Sequence, residues 1–165
     1  MPPINQFSRT ELLFGKDGMD KLARAKVAVF GIGGVGGYAV EALARSGVGS
    51  LALFDDDKIC LTNLNRQLHA TRSSVGKYKV DVAKARVLDI NPAIAIETHK
   101  LFYTSETSGQ VDLSQYDYVI DAIDTMSGKI ELIGGAGKGL RGSYYQLHGR
   151  GQQNGPYGLP SGGHL

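Results

Sequence analysis

Cysteine occurs once among 165 residues, at Cys60. One thiol cannot close an internal disulfide, which excludes a disulfide-framed secreted module and fits a reducing compartment. Long apolar runs are also missing, and none approaches the ~20 residues of a membrane span. The opening Met1-Pro2-Pro3-Ile4-Asn5-Gln6 lacks the basic and apolar regions of a secretory signal, so a cytoplasmic protein is expected. Acid is absent from residues 134–165, which hold Lys138, Arg141 and Arg150. Residues 1–133 therefore carry 15 of the 18 basic residues against all 16 acidic ones, and the net charge of +2 arises in the tail. Such a balance is no argument for nucleic acid. The same tail has no Ile, Val, Phe or Met, yet holds 11 of the 23 glycines.

What remains is ordinary for a soluble globular domain: 42% hydrophobic and 21% charged residues, in a chain long enough to bury one core. Strand and helix signals alternate through residues 1–133. Lys26-Val27-Ala28-Val29-Phe30 reads as a strand stopped at Gly31. Val35, Ala39, Ala42, Leu43 and Ser46 recur at helical spacing, and Gly47 closes that helix. Ser50 to Phe54 predicts a second strand, ended by Asp55-Asp56-Asp57, and a polar stretch runs from Leu61 to Ser74. Val80, Ala83, Val87 and Ile90 form the stripe of a helix that Asn91-Pro92 ends. Ile94 to Thr98 alternates as a third strand would, Tyr118 to Ala122 reads as a fourth, and Met126 to Ile133 begins another helix. This alternation predicts an α/β fold, a doubly wound, Rossmann-like, mostly parallel sheet.

The chemistry gathers at carboxyl ends of the predicted strands, where doubly wound folds bind ligands. Gly31-Ile32-Gly33-Gly34-Val35-Gly36 fits G-x-G-x-x-G between strand and helix. Gly31 permits the tight turn, Gly33 lets backbone approach phosphate oxygens, and Gly36 permits close helix–strand packing. Asp55, 19 residues past Gly36, stands where a carboxylate binds ribose hydroxyls. The bland alternative is a glycine turn that binds nothing, and the motif alone does not separate NAD from ATP. Asn63-Leu64-Asn65-Arg66-Gln67 and Lys79 add amides and cations beside the turn. A triphosphate with a charge near −4 needs such cations more than a dinucleotide does. Asp121 and Asp124, at and just past the fourth strand, are placed for Mg²⁺. Any one of these is otherwise a solvated surface charge; their weight is joint.

The segments GIGGVGG, LFDDDKICLTNLNRQLHA, VGKYKV and DAIDT resemble the ubiquitin-activating-enzyme-like, or ThiF-type, adenylate-forming superfamily. QFSRTELLFGKDGMDKL, EALARSGVG, NRQLHA and YVIDAIDT are most similar to its bacterial tRNA threonylcarbamoyladenosine dehydratase branch. The resemblance covers almost all of residues 5–133 and implies ATP with Mg²⁺ rather than NAD. It assigns Gly31, Gly33, Gly34 and Gly36 to the phosphates and Asp55, supported by Asp57, to the ribose. Asn63, Arg66, Gln67 and Lys79 would line the phosphate channel, with Arg66, Lys79 and Asp124 as catalytic groups and Asp124 on the metal. Arg9 falls where relatives place an arginine that reaches a partner subunit's ATP. Implied partners are a tRNA carrying threonylcarbamoyladenosine, a second copy of the chain, and a sulfur-transfer or cysteine desulfurase protein. The implied reaction is ATP-dependent cyclising dehydration of the modified base through an acyl-adenylate. Three alternatives are adenylation of the C-terminal Gly-Gly of a sulfur carrier, an inactive nucleotide-binding fragment and an NAD dehydrogenase. Cys60 reads as a bystander, and His69 as either a branch signature or a packing residue.

Residues 134–165 read as a Gly-rich tail outside the family pattern, expected to be disordered. The genetic code offers a source. Taking the last two bases of each codon with the first of the next, residues 134–145 can be read as Glu-Glu-Gln-Ala-Arg-Ala-Cys-Gly-Val-Pro-Thr-Ile. That text continues the last helix, adds a strand and resembles the family's next segment. A frameshift after Ile133, leaving the fold incomplete at its C-terminus, is expected.

Overall fold

The computed structural model describes residues 5–139 and 142–147. Its centre is a five-stranded sheet in the order β3-β2-β1-β4-β5, with every neighbouring pair parallel. The strands are β1 (Lys26–Phe30), β2 (Ser50–Phe54), β3 (Ala95–His99), β4 (Tyr118–Asp121) and β5 (Ser143–Gln146). The helices are α1 (Ser8–Arg24), α2 (Gly36–Ser46), α3 (Lys79–Ile90) and α4 (Met126–Gly139). The order reverses at β1, which β2 and β3 extend on one side and β4 and β5 on the other. Among the described residues no helix is long and apolar enough to cross a membrane.

Period-two alternation sends each strand's residues into two different cores. Val27 and Val29 of β1, with Leu51 and Leu53 of β2, meet Val40 and Ala44 of α2 and Val80, Ala83 and Val87 of α3. Ala28, Phe30, Ala52 and Phe54 point the other way, toward Tyr103, Leu113, Tyr116 and Leu132 of α4. Because both faces are covered, β1 and β2 are nearly continuous apolar runs, as a buried parallel sheet requires. The predicted fold class is what the structure contains.

Two elements differ from the reading of the sequence. Helix α1 was not anticipated: it is kinked at Gly15, where φ is 68°, and buries none of its residues. Its apolar residues do recur at helical spacing, but Leu12, Leu13 and Phe14 stay exposed while Leu22, partly buried, packs against the core. Regular structure also runs past the compositional boundary at Ile133, since α4 continues to Gly139 and β5 pairs with β4 from Tyr118↔Ser143 to Asp121↔Gln146. Ala136 and Tyr144 pack against the α4-side core, so a few apolar contacts hold residues whose composition alone suggests a tail. The expected tail beyond residue 147 lies outside the described residues.

Candidate functional site

The carboxyl ends of β1, β2 and β4 open into a cleft of about 570 Å³ at the point where the strand order reverses. An aromatic ladder floors this end of the sheet. Phe30 and Phe54, paired in register, stack with ring centroids 4.3 Å apart, and Phe54 stacks on His99 at 4.4 Å. Tyr103 meets Phe30 edge-on at 5.0 Å.

The glycine loop forms one wall. Gly31 has φ +86°, and a Cβ there would lie 2.6 Å from the Ala122 carbonyl, so β1 and β4 could not approach as they do. A Cβ on Gly36 would lie 1.8 Å from the Gly31 carbonyl, which is the close helix–strand packing read from the motif. Gly36 therefore sets the wall without lining the cleft, whereas Gly31, Gly33 and Gly34 line it. Among the described residues no side chain caps the N-terminus of α2. The Gly37 N–H of its first turn donates to Gly33 O at 3.0 Å, and the positive end of the helix dipole suits an anion.

Opposite the loop, Asp55 binds the loop itself. Its Oδ2 accepts from the Ile32 N–H at 2.7 Å and its Oδ1 from the Asp57 N–H at 2.9 Å. Burial raises the Asp55 pKa above the ordinary carboxylate value, and the nearby Lys79 ammonium and these N–H donors oppose that rise. Lys79 Nζ is buried, 2.5 Å from Asp57 Oδ2 and 3.8 Å from Asp55 Oδ1. Both residues keep unused acceptor capacity, since each carboxylate oxygen has two lone pairs.

The segment after β2 makes the third wall. Asn63 Oδ1 accepts from the Cys60 N–H at 2.9 Å, closing a 3₁₀ turn over Leu61–Asn63 and fixing where the following residues go. Arg66 leans over the glycine loop, with its Cγ 3.6 Å from the position of a Gly34 Cβ, and donates to Thr62 O and Asn65 Oδ1 at 3.0 Å. Gln67 lines the cleft and is buried, but its Oε1 has no hydrogen-bond partner among the described residues. Gln67 Oε1 is an acceptor, so a ligand hydroxyl or amino group would satisfy it, and a phosphate oxygen would not.

Asp121 and Asp124 separate. Asp121 is fully buried and bonded to Lys129, so it is not an open ligand for Mg²⁺ as the sequence suggested. Asp124 is exposed on the cleft wall and pairs with no described cation. The structure thus brings Gly31, Gly33, Gly34, Asp55, Asp57, Asn63, Arg66, Gln67, Lys79 and Asp124 around one cleft. Arg9 is exposed in the first turn of α1 and does not line it. Sequence reasoning missed Leu101, Phe102, Tyr103 and Leu147, an apolar wall. The only signal for the first three was their place just after the third predicted strand.

The ThiF family profile matches residues 7–138. The tRNA threonylcarbamoyladenosine dehydratase of Bacillus subtilis is 54% identical over 130 residues, 79% of this chain and 51% of that protein.

The chain belongs to the ThiF family.

A crystal structure of the Escherichia coli tRNA threonylcarbamoyladenosine dehydratase in complex with ATP superimposes with a TM-score of 0.83 at 39% identity. It covers 92% of this chain and 62% of that one. An adenylyltransferase and sulfurtransferase of Culex quinquefasciatus is 41% identical over 75% of this chain and 28% of its own length. The chain spans about half the length of the curated dehydratases it matches.

Proposed function

We propose that the chain is the nucleotide-binding part of an ATP-dependent tRNA threonylcarbamoyladenosine dehydratase of the cytoplasm. The carrying observation is the convergence of glycine loop, helix N-terminus, Arg66, Lys79 and Asp124 on one cleft. In this reading the base's carboxylate attacks the α-phosphorus of ATP and pyrophosphate leaves. The carbamoyl group then closes a ring as AMP departs, with net loss of water. The protein's part is positioning and charge neutralisation, and no protein nucleophile is needed. Gly33, Gly34 and the α2 N-terminus would hold phosphate oxygens, and Arg66 and Lys79 would offset their charge. Asp55 and Asp57 would take the ribose, and Asn63 and Gln67 would orient the triphosphate. The exposed carboxylate of Asp124 fits Mg²⁺, which accepts one or two carboxylates beside phosphate oxygens and supplies further neutralisation when bound.

Partners in this reading are the modified tRNA, a second copy of the chain and a cysteine desulfurase-type sulfur-transfer protein. Leu12, Leu13 and Phe14 of α1, 86%, 82% and 60% exposed, give the second copy an apolar surface beside Arg9. The test is ATP–pyrophosphate exchange with three additions: modified tRNA, unmodified tRNA, or a sulfur carrier ending in Gly-Gly. Stimulation by modified tRNA alone supports the proposal. Stimulation by the carrier alone moves the chain to the adenylyltransferase reading, and ATP binding without exchange leaves a nucleotide-binding fragment.

A further inference from the structure

Three side chains from three elements meet at the buried end of β4, beneath the cleft. Asp121, the last residue of β4, is 0% exposed, and Lys129 of α4 is 4% exposed. The Lys129 ammonium lies 3.3 Å from both carboxylate oxygens. The Tyr144 hydroxyl of β5 donates to Asp121 Oδ2 at 2.7 Å, and the Ile123 N–H donates to Oδ1 at 2.9 Å. The main chain of the same residue carries two more ties. Asp121 O accepts from the Leu147 N–H at 2.8 Å, and the next residue, Ala122, donates its N–H to Phe30 O at 2.8 Å.

These bonds end where the cleft wall begins. Ala122, Ile123 and Asp124 line the cleft on the β4–α4 connection, and Leu147 lines it just past β5. A buried carboxylate and ammonium each lose hydration, so the pair contributes to stability only with good geometry and further donors, which Tyr144 and Ile123 supply. Simple packing of β4 against α4 needs no such group, since apolar residues of similar volume serve as well. What the charged network adds is direction: one carboxylate holds an amide of the connection, a helix and the edge strand at fixed positions.

We infer that the Asp121–Lys129–Tyr144 network is a positioning site that sets the β4–α4 connection, and with it Asp124, against the nucleotide cleft. The inference rests on the nucleotide reading above for its functional consequence, and on the hydrogen bonds alone for its structural one. Lys129 and Tyr144 act through Asp121 and do not line the cleft. Tyr144 lies in the segment that the composition sets apart, and the shifted-frame text has Thr there, so the Tyr144 arm belongs to the present chain while Asp121 and Lys129 precede the boundary.

The test uses the whole chain and two readouts. Tyr144→Phe keeps the ring in its core and removes the hydroxyl. In the absence of nucleotide, amide hydrogen exchange across residues 122–125 is expected to quicken at least three-fold, with exchange in β2 unchanged. Calorimetric titration with ATP–Mg²⁺ is expected to show binding weakened about five-fold in the parent background and unaltered in an Asp124→Ala background. A role confined to packing would not couple Tyr144 to Asp124 in this way. Unchanged exchange at 122–125 overturns the inference whether or not nucleotide binds. An equal loss of affinity in both backgrounds also overturns it. Absence of ATP binding by the parent chain overturns the functional reading while the exchange result still decides the structural claim. If Tyr144→Phe fails to fold, the paired replacement Asp121→Asn with Lys129→Met removes both charges at once and carries the same two measurements.

Discussion

His69 shows how a single side chain can be legible as a motif member and obscure in role. It is buried with 4% exposure, its Nε2 has no partner among the described residues, and its Nδ1 lies 3.0 Å from the position of a Gly37 Cβ. Burial, with the Lys79 and Arg86 cations nearby, lowers its pKa from 6.5 to about 4. The unfolded chain therefore takes up a proton near pH 6.5 that the folded chain refuses until about pH 4. The neutral folded form is fully stable above that window, and stability falls as pH drops through it, by up to about 3 kcal/mol. His69→Gln is expected to flatten the fall of the denaturation midpoint between pH 7 and 4.5; a slope equal to the parent's contradicts this account. Arg66 is the opposite case, where chemistry was readable and geometry agrees with it. Loss of one charge-assisted phosphate contact is worth ~1.5–3 kcal/mol. Arg66→Ala is thus expected to weaken ATP binding ten-fold or more, measured by calorimetry beside Lys84→Ala, whose residue lies outside the cleft. Equal losses at the two positions exclude the assignment. Asp124→Asn is expected to abolish the Mg²⁺ dependence of ATP binding and leave the melting temperature within a degree or two.

At the scale of elements, strands and helices that bury both faces or one stripe were readable because burial writes itself into apolar periodicity. The observed β1 and β2 match the predicted strands residue for residue, and α3 ends at Ile90 before Asn91-Pro92 as read. Two elements that bury little, α1 and β5, were not read from the sequence. Helix α1 has no buried residue, and β5 holds its place through its backbone ladder, the Tyr144 hydroxyl and a tilted Tyr118–Tyr145 contact at 6.2 Å. The site followed the same division: charged and glycine residues carried a chemical signature, while Leu101, Phe102, Tyr103 and Leu147 carried only apolarity. Asp121 was misread because a carboxylate at a strand's end looks alike whether it faces solvent or Lys129. The glycine loop gives the sharpest element-level prediction. A methyl at Gly36 would overlap the Gly31 carbonyl at 1.8 Å, and the obstacle is backbone on both sides. Gly36→Ala is expected to push α2 off β1, lowering the melting temperature by ten degrees or more and removing ATP binding. Gly33→Ala, whose added carbon meets only the Gln67 amide at 3.9 Å, is expected to fold normally and lose affinity alone. Circular-dichroism melts of the two variants, run together, distinguish a packing glycine from a phosphate-approach glycine.

The molecule as a whole presents a sheet with a well-covered centre and a lightly covered side. Met126, Ile130 and Ile133, spaced along one face of α4, are 70%, 65% and 48% exposed, and Tyr145 at the β5 edge is 52% exposed. An apolar stripe at helical spacing beside an open strand edge marks a surface that folded chains ordinarily cover. The frame-shifted reading of codons after residue 133 supplies residues of the right kind, because it restores acids and aliphatics where the present chain has glycine. We therefore expect a chain carrying the shifted-frame continuation from codon 134 to melt at least ten degrees higher than the present one. It should also show faster pyrophosphate exchange with modified tRNA than the present chain. Sequencing the gene across codons 130–150 and expressing both versions side by side decides the matter. Codons that do not encode the family's segment in any frame sink the proposal at once, and equal melting temperatures with equal exchange show that the present chain is sufficient.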